Sequence, residues 1–146
     1  MDFILPTSHA VIPYLAPVWL PGGHLQTLYA AALRRPVIHY RSERWELPDG
    51  DFIDLDWLDG PSDAPLVVLF HGLEGSSRGH YASFLMAAIR RLGWRGVVPH
   101  FRGCSGETNR LPRAYHSGDS AEIDAILRRL RQDQAPLYAA GVSLGG

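Results

Sequence analysis

The chain has 146 residues, of which 46% are hydrophobic, 20% charged and 10% aromatic; these are the proportions of one globular domain and exclude a disordered, collagen-like or disulfide-stapled chain. Fourteen cations, all of them arginine, stand against fifteen acids for a net charge of −1, and without a basic run nothing electrostatic calls for nucleic acid as a partner. The single cysteine, Cys104, excludes an internal disulfide and fits a reducing compartment, so the expectation is a soluble, cytoplasmic protein.

Residues 1–40 read as an irregular, Pro-rich extension. The opening run MDFILPTSHAVIPYLAPVWLPGG is apolar, but it lacks a cationic start and is broken by Pro6, Pro13, Pro17 and Pro21, which suits neither a signal peptide nor a membrane helix. A short helix is expected from about His24 to Leu33, bracketed by Gly22-Gly23 and Pro36. Residues 41–146 read as a hairpin followed by β-α-β-α-β. In the hairpin, Trp45 and Leu47 alternate with Arg44 and Glu46, Pro48-Asp49-Gly50 turns the chain, and Ile53, Leu55 and Trp57 alternate with Asp54 and Asp56, which predicts one buried and one wet face. Leu66 to Phe70 is continuously apolar, as a strand covered on both faces requires. Tyr81, Phe84, Leu85, Ala88, Ile89 and Leu92 fall on one helical stripe, with Arg90 and Arg91 at the carboxyl end of the dipole and Gly93 at the stop. A strand follows at Val97 to Phe101, weakened by Pro99. The next helix runs from about Asp119 to Arg131, where Asp119 and Glu122 resemble a capping box and Arg128, Arg129 and Arg131 complement the dipole and pair with Asp124. Pro136 to Gly141 is the last strand. The alternation predicts an α/β fold with a parallel sheet.

Gly141-x-Ser143-x-Gly145 follows that strand directly and matches a nucleophile elbow. Such chemistry needs a serine on a strained strand-to-helix turn, with glycines where side chains would strike the neighbouring strand and helix. Acyl transfer also builds charge on a carbonyl oxygen, which fixed backbone N–H groups stabilise. In an elbow enzyme one donor follows the nucleophile, here Leu144; the other comes from the loop after an earlier strand, here His71-Gly72-Leu73-Glu74-Gly75, with Leu73 as the donor and Gly72 leaving room for the substrate oxygen. His71 is expected to order that loop by hydrogen bonds rather than to move protons. Other chemistries lack their residues. Without lysine there is no P-loop, no G-x-G-x-x-G opens a helix, and His100-x-x-x-Cys104 alone falls short of a four-ligand zinc site, so neither cofactor nor metal is expected.

FHGLEGSSRGHY, GVVPHFRGCSGETNRLPRAYHSGD and GVSLGG, with Gly23-His24-Leu25-Gln26-Thr27 and Leu47-Pro48-Asp49-Gly50-Asp51, resemble the YheT-like branch of the α/β-hydrolase superfamily. That branch holds bacterial esterases, animal α/β-hydrolase-domain relatives and fungal ethyl-ester synthases. The resemblance covers nearly the whole chain; Pro99 departs from it. It implies a serine carboxylic-ester hydrolase acting through an acyl-enzyme on small-molecule esters of short- or medium-chain acids, or on monoacylglycerols. Transfer to an alcohol is the nearest alternative, and a non-catalytic binding module the alternative from another class. Within the resemblance, Phe101-Arg102-Gly103-Cys104-Ser105-Gly106 is similar to the superfamily's Arg-Gly turn and would shape a pocket wall, with His100 and His116 making structural hydrogen bonds. The superfamily order is serine, acid, histidine. All seven histidines (His9, His24, His39, His71, His80, His100 and His116) precede Ser143, and none is expected to be its base. The chain therefore reads as a fragment that ends after the elbow, and residues 1–146 alone are expected to show no esterase turnover.

Overall fold

The computed structural model describes residues 15–132 and 135–146. His9, Pro6 and Pro13 lie outside the described residues. The chain divides into an amino-terminal unit that ends at Arg34 and a main unit, Arg35–Gly146. The first contains helix α1 (Gly23–Ala32), close to its expected place, with Trp19 edge-on to Tyr29 and the Gln26 amide donating to the Leu20 carbonyl. No described helix is long and apolar enough to cross a membrane.

The main unit is a five-stranded mixed sheet, in the order β1-β2-β4-β3-β5. Strands β1 (Arg41–Glu46) and β2 (Phe52–Leu58) form the expected hairpin around Pro48-Asp49-Gly50, and Gly50 supplies the positive φ of the turn. β2 then pairs antiparallel with β4 (Arg95–Pro99), which lies parallel to β3 (Leu66–Phe70), and β3 lies parallel to β5 (Leu137–Gly141). Helix α2 (His80–Arg91) joins β3 to β4, and helix α3 (Ser120–Leu130) joins β4 to β5.

Strand parity sorts the core into two layers. Leu66, Val68, Phe70 and Val97 pack with Ile126 and Leu130 of α3 and with Trp45, Ile53 and Leu55 of the hairpin. Val67, Leu69 and Val98 face the other way, onto Ala82, Met86 and Ile89 of α2. All five residues of β3 are buried, as their unbroken apolar run predicts. Each such side chain contributes about 1.5–3 kcal/mol of burial.

Several local expectations are corrected. The stripe of α2 is rotated by about one position: Ala82, Ser83, Met86 and Ile89 are buried, whereas Tyr81, Phe84 and Leu92 are exposed. Small residues at 82 and 83 let the helix approach the sheet, and Met86 settles over Gly96. The polar face of β2 is half-buried rather than fully wet. Asp54 pairs with Arg44, while Asp56 accepts hydrogen bonds from Ser42, Ser77 and His100. No capping box forms on α3, because Asp119 is taken by Arg113 and Glu122 by Arg102, charge-assisted bonds that outcompete a neutral N–H. Pro99 is tolerated for a definite reason. The His100 N–H donates to the Asp54 carbonyl, so Pro99 opposite Leu55 falls at a non-hydrogen-bonded pair of the β2 ladder, and the β3 ladder has already ended at Val97.

Candidate active site

The sequence-predicted residues converge on the carboxyl ends of β3 and β5, which are direct neighbours with Phe70 opposite Gly141. Beyond Gly141 the chain enters a tight turn, Ser143–Gly145, in which Ser143 holds φ +53°, a left-handed conformation that costs a serine about 1–3 kcal/mol. The surroundings over-determine it. The Val142 N–H donates to the Phe70 carbonyl, the Gly145 N–H to the Val142 carbonyl and the Gly146 N–H to the Ser143 carbonyl.

Both elbow glycines are forced by close approach. A Cβ on Gly141 would strike the Gly145 carbonyl and lie 2.6 Å from the Gly146 Cα; one on Gly145 would strike the Phe70 carbonyl and lie 2.7 Å from the His71 oxygen. Those neighbours are backbone, which cannot rotate away. Gly145→Ala is therefore expected to lower the unfolding free energy by at least the roughly 1–3 kcal/mol of ordinary overpacking, read from the urea midpoint.

The loop after β3 lies against this turn. A Cβ on Gly72 would be 3.2 Å from the Val142 carbonyl oxygen and 3.4 Å from the Ser143 Cβ, so Gly72 faces the serine across van der Waals contact. Ser143 is solvent-exposed. Among the described residues, neither the Leu73 N–H nor the Leu144 N–H is spent in a hydrogen bond. The Leu73 side chain projects into solvent, whereas Leu144 packs on the α3 side of the core.

His71 is fully buried and each ring nitrogen is engaged. Nε2 accepts the Phe101 N–H at 3.1 Å, which leaves the proton on Nδ1 to donate to the Gly72 carbonyl at 2.7 Å. The ring is wedged edge-on to Phe101 beside His100. It thus ties the end of β4 to the loop beside Ser143 and has no nitrogen left for the serine proton. Burial pushes the His71 pKa below its ordinary value, against the Gly72 carbonyl, which raises it, while the neighbouring His100 lowers it further. The unfolded chain binds a proton near pH 6.5 that the folded chain refuses, so stability is full above about pH 6.5 and falls as the pH drops below it. Urea midpoints between pH 7.5 and 5 should slope accordingly, and the part of the slope lost in His71→Asn belongs to this ring.

His100 is likewise committed, to Asp56 through Nε2 and to the Cys104 carbonyl through Nδ1. Burial raises the Asp56 pKa, but His100, Ser42 and Ser77 more than offset that and hold the carboxyl well below the usual range. The His116 Nδ1 lies against the Ser117 carbonyl. Burial raises the Cys104 thiol pKa, which makes it a poor nucleophile. Among the described residues no group of three or more potential metal ligands assembles.

Arg102, expected in a pocket wall, sits at the centre of a buried ion network that sequence reasoning missed. Its guanidinium donates to Glu122 and to Asp51, both at 2.8 Å, and pairs with Asp49 at 2.9 Å. Burial raises the Asp51 pKa, but hydrogen bonds from Asn109, the Arg110 and Phe52 N–H groups and Arg102 prevail and hold it at about 2. Asn109 also accepts the Gly103 N–H and donates to the Phe52 carbonyl, which pins the turn after β4 to the hairpin. The signal available was the density of charge within the quoted stretches, though not its pairing. A cavity of about 550 Å³ lies between Asp56, Ser77, His100 and Cys104, and Ser143 is not part of it. The elbow instead borders a groove of about 380 Å³ lined by Phe70, Ile123, Leu127, Gly141 and Gly145.

The comparisons with known proteins agree with this architecture. Residues 65–146 match the alpha/beta hydrolase fold family. YheT of Escherichia coli, an esterase by name, is 50% identical over 129 residues, which cover 84% of this chain and 38% of that protein. Phospholipase ABHD3 of Homo sapiens is 33% identical over 144 residues, 91% of this chain and 35% of the relative. A thioesterase domain from the curacin biosynthetic pathway superposes with a TM-score of 0.59 at 24% identity, over 73% of this chain and 36% of that one, a likeness of fold. The chain belongs to the α/β-hydrolase superfamily, in its YheT-like branch. It spans little more than a third of the length of these two curated relatives.

Proposed function

We propose that this chain carries the nucleophile and oxyanion-binding half of a serine carboxylic-ester hydrolase. The observation that carries the reading is Ser143 itself, an exposed serine held at φ +53° in the tight turn that directly follows β5, beside a loop with an N–H unspent among the described residues. In this reading the Ser143 Oγ attacks the ester carbonyl as its proton passes to a general base. The carbonyl oxygen becomes an oxyanion between the Leu73 and Leu144 N–H groups. The C–O bond then breaks, the alcohol leaves with a proton, and water resolves the acyl-enzyme by the same steps. In the superfamily's chain order the base and its orienting acid follow the nucleophile. His71 and His100, with both ring nitrogens occupied, do not compete for the role.

Small acyl esters, of short- or medium-chain acids or as monoacylglycerols, are the substrate class. The names of the relatives, an esterase and a phospholipase, support a carboxylic ester. The single Cys104 suits a reducing, cytoplasmic setting. The test is covalent labelling of the intact protein with a fluorophosphonate, followed by peptide mass spectrometry. The adduct is expected on Ser143 and should vanish in Ser143→Ala; an adduct elsewhere, or one that survives the substitution, overturns the assignment.

A further inference from the structure

Every backbone N–H from Gly72 to Gly75 has a partner except one. The Gly72 N–H donates to the Tyr81 phenol oxygen at 3.0 Å, the Glu74 N–H to the Tyr115 phenol oxygen at 2.8 Å, and the Gly75 N–H to the Gly72 carbonyl at 3.0 Å. The Gly72 carbonyl also receives the His71 Nδ1–H. Between these bonds the Leu73 N–H is unspent among the described residues. We infer that Tyr81 and Tyr115 are positioning residues for ester cleavage: by occupying the N–H groups on either side of Leu73, they fix the loop and leave the Leu73 N–H as its single donor for the oxyanion. This rests on the reading of Ser143 as nucleophile.

The two phenols reach the loop from different elements, which makes the arrangement a clamp rather than a local turn. Tyr81 lies in the first turn of α2; Tyr115 comes from the segment between β4 and α3. Tyr115 is stacked on Phe101 at 5.4 Å with the rings 8° from parallel, and Phe101 in turn supports His71. Two further features fit a loop held from both sides. Glu74 sits at φ +50°, strain that persists only where the surroundings fix it, and its N–H is the one that Tyr115 takes. A Cβ on Gly75 would lie 2.6 Å from the Tyr81 oxygen, so a side chain there would evict the phenol. Tyr81 also explains itself here, since it heads the predicted apolar stripe of α2 yet stays out of the core.

The physical advantage is preorganisation. A donor loop in open water would offer three adjacent N–H groups and several arrangements, and the developing oxyanion would have to select one of them. With two donors already satisfied by rigid phenols, the third is aimed before the reaction begins and no reorganisation is needed as charge appears. The phenols touch neither substrate nor Ser143 in this scheme; they act through the loop.

The test uses Tyr81→Phe, Tyr115→Phe and the double variant in the intact protein, because phenylalanine keeps the ring packing and removes only the oxygen. Each single variant is expected to lower kcat on p-nitrophenyl butyrate about ten-fold with KM little changed, and the double variant should not exceed the roughly 10²–10³-fold loss of one oxyanion donor. Affinity for a boronic acid, which mimics the tetrahedral intermediate, should fall in parallel with kcat, and amide exchange at Gly72 or Glu74 should quicken in the matching variant. A merely structural role would instead lower the melting temperature without changing the ratio of boronate to substrate affinity, which would overturn the clamp. Unchanged kcat and boronate affinity would overturn it too. If Tyr115→Phe fails to fold, Tyr81→Phe alone decides by the same readouts. Ser143→Ala, assayed alongside, separates the two ideas: full activity in that variant removes the hydrolase reading, whereas an inactive Ser143→Ala beside fully active tyrosine variants removes only the clamp.

Discussion

Ser143→Ala in the intact protein is expected to reduce ester turnover on the order of a million-fold, as loss of the nucleophile does in a serine protease of unrelated fold. Substrate affinity should be nearly unchanged, because the hydroxyl contributes to bond making rather than to binding. The fold should survive, since the side chain is exposed and alanine can occupy the same turn. A second substitution at this position reports the strain. Ser143 sits at φ +53°, where glycine is favoured over any residue with a Cβ by roughly 1–2 kcal/mol. Ser143→Gly should therefore be as inactive as Ser143→Ala yet melt at a higher temperature. Equal melting of the two variants would mean that the turn is not strained; activity retained in either would remove Ser143 as nucleophile.

The largest expected effect on stability lies away from the elbow. Arg102→Ala would leave Asp51 and Glu122, both buried, without their shared cation. Breaking a buried pair from one side costs about 3–5 kcal/mol, a large share of the margin of a typical domain. Glu122 depends on this one cation, since among the described residues its Oε1 is buried without a hydrogen-bond partner while Oε2 takes the guanidinium. Urea denaturation should show the loss at pH 7. An Arg102→Ala protein as stable as the parent would show that the network is dispensable. Arg102→Lys should recover little, because one ammonium cannot reach three carboxylates in the geometry of a planar fork.

These two sites differ in how far the sequence reveals them. The turn after β5 was legible because its geometry is local: an apolar strand followed by two glycines at fixed spacing, each demanded by a backbone contact within a few residues or with the adjacent strand. The five-residue run of β3 was equally plain, because burial on both faces leaves no polar position. What could not be read was pairing at long range. Nothing in the string says that Asp51 waits for Arg102 and Asn109, or that Glu122 would leave its cap for the same guanidinium. The α2 stripe was displaced for a related reason. Periodicity weighs Tyr81 and Phe84 as apolar bulk, whereas close approach of the helix to β4 selects Ala82 and Ser83, and the Tyr81 hydroxyl has other employment in the loop beside Ser143. The predicted wet face of β2 is only partly so, because a loop residue, Ser77, and His100 bond to Asp56.

The strand order has a consequence for how the proposed nucleophile, Ser143, comes into being. The hairpin closes the shortest loop, with Glu46 opposite Phe52, and α2 brings β4 back onto β3 over a modest stretch. The connection through α3 must cross over β3 to place β5 on its far edge, with Leu66 opposite Leu137, the most distant pairing in the sheet and therefore the slowest to close. The left-handed turn at Ser143 leans on the carbonyls of Phe70 and His71, which exist as a surface only once β3 is in place. A folding chain thus carries an ordinary serine until its final strand docks. Reactivity toward a fluorophosphonate, followed during refolding, should rise with the last kinetic phase and lag behind the burial of tryptophan.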